Sequence, residues 1–525
     1  MFGLLIMTLK AVILLTAGIY AFAALLNKED AAWIKGAPFK IMVGLYVVGL
    51  WGHIIWVVFL ALMLSIPLLA RNRGDAAALY AIAVLSLPDL PYKFQIGGFY
   101  VAEIDKYMFA AFGLAIAFRR FAGEVRSGSR FDIPFLIVLT LELAESRDPQ
   151  WTTELRMMLP TLLTLALPYY LVSRSITSMQ DIRRFVLALT LGGFVLAIVA
   201  TAEVRFHTLF YQQITSNLPV ALGENLYQKM RGGVIRAPAS FPESTSLANF
   251  LAASAIAVLG LGTAFASKIK RNIALGVLLI GLVAANSRGA FIGVALGLLA
   301  FDFYRKRWGA LSVKLGIGSG IYVAALIAAP FSPYVAGMVG KGSDTQGSTN
   351  YRVQLLTRGM EEIRKHPLLG TTMKNALDSL EDMRTGQHII DLVNGYITYG
   401  LTLGYTGMVG LLMVFVTLSG AMLVTRRKLR GNDLALDAAA FVFSVSSFMA
   451  AVAFFTTFGS EKSSFFYWIA ALGAALYALR RGAPALALPG AEPVAAHPSG
   501  IQSMIQADRA AAAARARRLR GDNVA

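Results

Sequence analysis

Arg288 is the residue whose type and setting point most directly to chemistry. It lies in the tetrapeptide Asn286-Ser287-Arg288-Gly289, inside a stretch from Asn272 to Tyr304 that contains no other cation. An arginine at membrane depth is costly unless it lines a polar cavity, and its planar guanidinium group matches the oxygens of a phosphate. We therefore interpret Arg288 as a ligand for the phosphate of a membrane-embedded lipid. The alternative is that Arg288 only joins neighbouring helices through backbone carbonyls.

The length of this apolar stretch predicts how Arg288 is held. One helical crossing of a bilayer takes about 20 residues, so the 33 residues from Asn272 to Tyr304 are too many for one crossing and too few for two. Basic clusters flank the stretch, at 268–271 and 305–307, and cytoplasmic loops are typically rich in Lys and Arg. The sequence therefore predicts a hairpin of two short helices with Ser287-Arg288-Gly289 at the tip, just below the far interface.

A second polar group precedes a later apolar segment. His388, Asp391 and Asn394 are spaced by three residues, so on a helix they would share one face, with Tyr396 nearby. A histidine beside a carboxylate can exchange a proton near neutral pH, which is what activating a sugar hydroxyl requires. We interpret His388 and Asp391 as the catalytic pair and Asn394, Tyr396 and Ser287 as acceptor or positioning residues. An ordinary polar cap on a helix start is the alternative.

Cations also gather in the segment 204–245, which we predict to be periplasmic. Cations placed against the usual topological bias indicate an anionic ligand, although for any one of them a solvated loop position is the alternative. Acidic residues near 380 could form a metal site, but their spacing is typical of a solvated helix face, and we predict no metal site and no cofactor. The residues concerned are Arg205, Lys229, Arg231 and Arg236 in the first group and Asp378, Glu381 and Asp382 in the second.

Composition places the chain in the membrane. Of its 525 residues 56% are hydrophobic, and the mean hydropathy is +0.61. The net charge of +18 comes mostly from short loops between apolar segments, where topology alone requires it, so no nucleic-acid partner is predicted. The absence of cysteine excludes disulfides and thiol chemistry. We predict an all-α polytopic protein of the bacterial inner membrane with about 12 to 14 transmembrane or half-spanning helices and both termini in the cytoplasm.

The apolar runs and loops divide the chain into six segments. We predict N-terminal membrane helices, including one span at 41–69, then a periplasmic loop, membrane helices with the buried Arg288, a large periplasmic loop, C-terminal membrane helices, and a basic cytoplasmic tail. Their bounds are 1–203, 204–245, 246–330, 331–393, 394–481 and 482–525.

The large periplasmic loop contains a predicted amphipathic helix. Ser348-Thr349-Asn350 can cap a helix that runs to Lys365 and must stop at His366, because Pro367 follows. Such a helix could lie on the membrane face and roof a cavity beneath it. Its predicted apolar stripe consists of Val353, Leu356, Met360 and Ile363.

Together these features resemble the bacterial O-antigen ligase and O-antigen polymerase superfamily, integral-membrane glycosyltransferases of the GT-C type. The resemblance covers roughly residues 240–425. The motifs that carry it are Ser287-Arg288-Gly289, then Tyr351-Arg352 with His366-Pro367-Leu368-Leu369-Gly370, then Asn394-Gly395-Tyr396 followed by Gly400, Gly404 and Gly407. One departure is that Val393 stands before Asn394, where the family often has histidine. The nearest histidine, His388, is six residues away.

The resemblance implies an undecaprenyl-diphosphate-linked glycan as donor, arginines on its diphosphate, and a glycan hydroxyl as acceptor, without nucleotide sugar or metal. Arg288 and Arg352 match family positions, whereas Arg236 and Arg231 are assigned to the diphosphate from charge. We expect a polymerase of surface or exopolysaccharide, with membrane lipid, a chain-length regulator and export proteins as partners. Ligation of O-antigen to lipid A-core, a secondary transporter and a scaffold subunit of an export complex are the alternatives.

Overall fold

The structure is a computed structural model, and the prediction of an all-α polytopic membrane protein is confirmed. Seven of its described helices are long and apolar enough to cross a membrane, and three shorter apolar helices accompany them. The basic tail predicted beyond 482 lies outside the described residues except for 485–486. The structure describes residues 2–121, 123, 125–126, 132–148, 150–218, 230–231, 234–332, 335–336, 339, 343–384, 390–429, 432–454, 464–479 and 485–486.

The chain divides into two compact units, residues 1–121 with 126–484, and residues 122–125 with 485–525, and the described helices all belong to the first. A π-helical segment, Leu162–Ala166, joins α8 to α9, and 3-10 turns occupy Ala329–Phe331 and Glu381–Met383. The helices are α1 Phe2–Leu25, α2 Lys28–Ile34, α3 Ala37–Trp51, α4 Ile55–Leu69, α5 Arg73–Leu85, α6 Lys106–Arg120, α7 Ile133–Glu145, α8 Trp151–Thr161, α9 Leu167–Ser175, α10 Met179–Phe206, α11 Gln212–Asn217, α12 Ser244–Gly260, α13 Lys268–Ala285, α14 Arg288–Arg305, α15 Trp308–Ala328, α16 Ser343–Lys365, α17 Met373–Ser379, α18 Gly395–Arg426, α19 Asp433–Val452 and α20 Ser464–Leu479.

The centre of the first unit is built from α5 and α10. Every residue of α5 is buried, which its alanine-rich sequence permits because small side chains let neighbouring helices approach closely. At its start, α10 has a capping box in which Ser178 and Asp181 each bind the other's backbone N–H, and most of the helix is buried. Around this pair pack α3, α6, α12 and α13. The end of α10 therefore provides a fixed platform for the segments that follow it.

Two elements differ from the sequence prediction. The predicted span 41–69 is wrong, because α3 and α4 are separate helices with a turn at Gly52-His53-Ile54, where His53 has a φ of 45°. Between α5 and α6 the chain forms an antiparallel hairpin of β1, Tyr92–Ile96, and β2, Phe99–Ile104. Gly97 and Gly98 have positive φ at its turn, and this Gly-Gly pair was the available sequence signal. Two-residue strands occupy Val125–Arg126, Met230–Arg231, Val234–Ile235 and Ala485–Leu486.

Contacts of α1 bear on the predicted orientation of the N-terminus. Leu26 forms a β-bridge with Phe265, and the Asn27 N–H donates to the Ala264 carbonyl at 2.9 Å. The end of α1 therefore lies beside the start of the 268–271 cluster. Since α1 is one helix of 24 residues, its two ends lie on opposite faces of a membrane that it crosses. The cytoplasmic positions of the N-terminus and of the 268–271 cluster stay predictions, and they are compatible only if α1 does not cross the membrane.

We expect cysteines at the exposed positions Lys28 and Lys268 to behave alike towards an impermeant thiol reagent applied to whole cells. A cysteine at exposed Asn350, on α16, should show the opposite labelling. The chain contains no native cysteine, so no background has to be removed. The position of α1 in the structure would be contradicted if Lys28→Cys and Asn350→Cys gave the same labelling result and Lys268→Cys gave the opposite one.

Helix α18 is interrupted at Gly404, and the segment that follows α16 packs into this interruption. Gly404 has φ 67° and ψ −160°, a conformation that only glycine adopts readily. The segment after α16 fills the break: the Tyr405 N–H donates to the Pro367 carbonyl at 2.8 Å, and the Thr371 N–H donates to the Leu401 carbonyl at 2.9 Å. A Cβ on Gly404 would overlap the backbone of Pro367. The Pro-Leu-Leu-Gly motif and the glycines of α18 are thus two halves of one joint.

The variant Gly404→Ala should destabilise the protein by about 2 kcal/mol or more, because it adds both backbone strain and a backbone clash. Gly420→Ala, on the same helix, is the matched control, since nothing lies within 4 Å of a Cβ at that position. Thermal unfolding in detergent should show a lower midpoint for Gly404→Ala only. Equal midpoints for the two variants would show that the joint contributes no stability.

Candidate functional site

The predicted arginine hairpin is present. Helix α13 ends at Asn286, whose φ of 48° is left-handed and whose N–H caps the helix on the carbonyls of Leu282 and Val283. Ser287 is extended, and α14 begins at Arg288. Arg288 is half-buried. It therefore lies at a helix N-terminus, where unsatisfied N–H groups and the helix dipole favour an anion.

The segment that carries Arg236 lies against the end of α13. The Ala237 N–H donates to the Ala284 carbonyl at 3.3 Å, and Arg236 itself donates from Nη2 to Thr245 Oγ1, on α12, at 3.2 Å. The Nε of Arg236 is buried and has no hydrogen-bond partner among the described residues. A donor buried in this way is available to a bound anion.

Arg352 comes from a third element, α16. It is half-buried, and its Nε is likewise buried without a partner in the described part of the chain. Helix α16 is held by a cluster of apolar side chains that it shares with α17 and the first turns of α18. The buried members of this cluster are Leu355, Ile363, Ala376, Leu380, Met383, Leu392, Ile397 and Leu401.

The apolar stripe predicted for α16 is half wrong. Ile363 is buried and Met360 packs against the cluster, as predicted, but Val353 and Leu356 are exposed. The buried face instead follows Leu355 and Ile363 through Gly359. A Cβ on Gly359 would lie 2.6 Å from Ile397, so this glycine lets α16 pack closely on α18 and decides which face is buried.

Electrostatic interactions link Arg236 to each of the other two arginines. Burial lowers the pKa of the Arg236 guanidinium, Glu243 opposes this, and the positive charges of Arg288 and Arg352 lower it further. Burial also lowers the pKa of Arg352, while the charge of Asp391 acts in the opposite direction. Guanidinium groups brought together in this way form a setting that suits a phosphate or diphosphate. We refer to Arg236, Arg288 and Arg352 as the arginine cluster.

The second predicted group is arranged differently from the prediction. Residues 390–394 are not helical and α18 begins at Gly395, so Asp391 and Asn394 do not share a helix face. Asp391 instead adjoins the arginine cluster through Arg352, and its N–H donates to the Tyr351 hydroxyl at 2.9 Å. The predicted periodicity fails because the Asn394 side chain caps α18, and a cap residue is itself non-helical.

The other predicted site residues have varied positions. Asn394 Oδ1 accepts the N–H groups of Tyr396 and Ile397, so of its two possible roles the structure shows the cap. The Tyr396 hydroxyl donates to the Ala450 carbonyl at 2.9 Å, which joins α18 to α19. Ser287 is buried at the first turn of α14. The side chain of Arg231 and the whole of His388 lie outside the described residues.

Acidic residues on the helices above the joint are paired with arginines. Asp382 accepts from Arg358 at 3.0 Å and Glu381 accepts from Arg384 at 2.7 Å. Within the described part of the chain, no group of three or more His, Asp or Glu side chains is placed to hold a metal ion.

Sequence reasoning missed Glu203 and Thr245. Thr245 carries no signal, because a threonine in the first turn of a helix is common. Glu203 did carry one, since an acidic residue in a long apolar helix is expensive and typically functional or paired. It is completely buried near the end of α10.

Comparison with known proteins agrees with this geometry. Residues 273–412, about a quarter of the chain, match the family model described as O-antigen ligase. The matched segment includes Arg288, Arg352 and both halves of the joint at Gly404. The segment 273–412 therefore supports a place in the O-antigen ligase and polymerase superfamily, and the apolar helices are those of a multi-pass membrane protein. No curated protein matches the chain.

Proposed function

We propose that this protein transfers an undecaprenyl-diphosphate-linked oligosaccharide to a glycan acceptor on the periplasmic face of the bacterial inner membrane, as a polymerase of surface or exopolysaccharide. The observation that carries the proposal is the arginine cluster, in which two buried Nε donors have no partner among the described residues. The superfamily domain supports the reaction class, transfer by a ligase or polymerase type of glycosyltransferase.

In this reaction the acceptor hydroxyl oxygen forms a bond to the anomeric carbon of the donor sugar, and the bond from that carbon to the diphosphate oxygen breaks. The hydroxyl proton passes to a base, and undecaprenyl diphosphate leaves with one more negative charge. Arg236, Arg288 and Arg352 would hold the diphosphate and stabilise the charge that develops on it. His388 with Asp391 is the proposed base, and Arg231 is a further proposed ligand of the diphosphate.

The orientation follows from the same assignment. With the basic clusters at 268–271 and 305–307 in the cytoplasm, the tip at Arg288 lies on the periplasmic side together with α16. With α1 as one crossing, its contacts support an N-terminus in the periplasm, and the C-terminal tail remains cytoplasmic in the proposal. A donor whose lipid is embedded in the outer leaflet would present its diphosphate at the level of the arginine cluster.

Ligation of the glycan to lipid A-core is the second candidate, because the matching family model is described as O-antigen ligase. The two reactions share the donor and the arginine cluster and differ only in the acceptor. Purified protein supplied with donor alone would extend it into longer lipid-linked chains if it is a polymerase. A ligase would give product only when lipid A-core is added.

Arg288→Lys should lower turnover about a hundredfold, because lysine keeps the charge but loses the paired donors of the guanidinium group. Arg364→Lys, at an exposed position on α16, is the matched control and should keep wild-type turnover. Turnover is measured with purified protein in lipid and a synthetic polyprenyl-diphosphate oligosaccharide. Wild-type turnover of Arg288→Lys, at equal protein level, would remove Arg288 from the reaction.

His388→Ala should lower turnover about a hundredfold or more through loss of the general base, while the affinity for donor stays close to wild type. Arg352→Ala should instead act mainly on the affinity for donor and weaken donor binding. Both quantities come from a substrate titration in the same assay. If His388→Ala turns over at the wild-type rate, the base assignment is wrong, and stabilisation of the leaving group by the arginine cluster supplies most of the rate.

A further inference from the structure

Glu203 makes contacts that lead directly to the arginine cluster, although it lies outside the matched family segment. Its carboxylate accepts the Phe210 N–H at Oε1 and the Ala239 N–H at Oε2, both at 3.0 Å. The backbone of Tyr211 is a further hydrogen-bond partner. One completely buried carboxylate thus fastens two separate stretches of chain to the end of α10.

Ala239, one of these partners, has an unusual backbone. Its φ of 47° is in the left-handed region, which is sterically unfavourable for an alanine. Such a conformation persists only where the surroundings impose it, and residues of this kind cluster at functional sites. The bond from the Ala239 N–H to Glu203 is a contact that imposes it here.

Arg236 lies three residues before Ala239, and the bond from the Ala237 N–H to Ala284 fixes the stretch between them from the other side. Repulsion from Arg288 and Arg352 acts to move Arg236 away. The two backbone anchors, one on α10 and one on α13, oppose this movement. The Glu203 carboxylate therefore acts on Arg236 through the backbone and not through a direct ion pair.

We propose that Glu203 is a positioning residue that presents Arg236 to the diphosphate of the donor. The proposal rests on the proposed function, because it takes the ligand of the arginine cluster to be a polyprenyl diphosphate. It adds that the helices upstream of the superfamily domain supply part of the specificity for that group. The competing interpretation is that Glu203 only stabilises the fold.

A double-mutant cycle separates these interpretations, because residues that act through one another have non-additive effects. Glu203→Gln keeps the shape of the side chain but turns an N–H donor towards backbone N–H groups that the carboxylate accepts. The probe is undecaprenyl diphosphate, and the readouts are its dissociation constant for protein in detergent and the midpoint of thermal unfolding. Thr190→Val is the matched control, since it removes a buried hydrogen bond elsewhere on α10.

We expect Glu203→Gln to weaken binding of undecaprenyl diphosphate about tenfold or more. Combined with Arg236→Ala, it should add almost nothing to the loss caused by Arg236→Ala alone. Combined with Arg352→Ala, it should weaken binding less than it does alone, because Arg352 is one of the charges that push Arg236 away. Thr190→Val should lower the unfolding midpoint without changing the dissociation constant.

Independent effects of Glu203→Gln and Arg236→Ala would overturn the positioning role, as would unchanged binding by Glu203→Gln. If Glu203→Gln cannot be purified, Ala239→Gly replaces it in the double-mutant cycle. This variant keeps the N–H group but lets the backbone leave the left-handed conformation. It should weaken binding several-fold in the presence of Arg236 only, and unchanged binding would overturn the proposal. If the wild-type protein does not bind undecaprenyl diphosphate, or if Arg236→Ala binds it as tightly as the wild type, the proposed function is refuted instead.

Discussion

The repulsion that Arg288 and Arg352 exert on Arg236 is a constraint that the surrounding chain must oppose. Arg236, Arg288 and Arg352 come from three separate segments and lie close enough that two of them lower the pKa of the third. Charges at the edge of a low-dielectric region interact strongly, so such a cluster forms only if the surrounding chain holds it. The rigid membrane helices α10, α12 and α13 anchor one arginine, the start of α14 carries the second, and α16 carries the third.

The joint at Gly404 shows how irregular backbone is accommodated beside the membrane helices. Breaking α18 frees N–H and carbonyl groups that lipid cannot satisfy, so they must find partners in protein. The segment after α16 supplies them, and Arg147, at the end of α7, donates to the carbonyls of Leu369 and Thr402. The same contacts fix the end of α16 and so help to hold Arg352 in place. The glycine and Pro-Leu-Leu-Gly motifs are thus structural parts of the site.

How much the sequence could predict varied with the physical origin of each feature. The helix pair around Arg288 follows from length, charge and hydropathy, which are properties of a local segment, and the structure has two helices that meet at Asn286-Ser287. The face on which α16 packs depends on Gly359 meeting Ile397, a contact between distant segments that periodicity cannot reveal. The polar group at the start of α18 was assigned a helical face because its spacing is three, but a residue that caps a helix is not part of it.

Glu203 carried a sequence signal as an acid in a long apolar helix, but the sequence could not show which groups it contacts. Only the structure shows two backbone segments converging on it. Likewise, the separation of α3 from α4 depends on a single left-handed residue, His53, inside an otherwise continuous apolar run. Both cases are tertiary effects that override a local pattern.

The arrangement also bears on where catalytic power would come from. A site that held the donor diphosphate with fully matched charge would bind substrate and transition state equally and gain nothing in rate. Glu243 and Asp391 are the carboxylates that act on Arg236 and Arg352 in the described part of the chain. In the proposed reaction, cleavage of the glycosyl bond would add negative charge to the diphosphate, so the arginine cluster would stabilise the leaving group more than the bound donor. Guanidinium groups held in place beforehand by the helix joint and, in our proposal, by Glu203 would therefore favour the transition state.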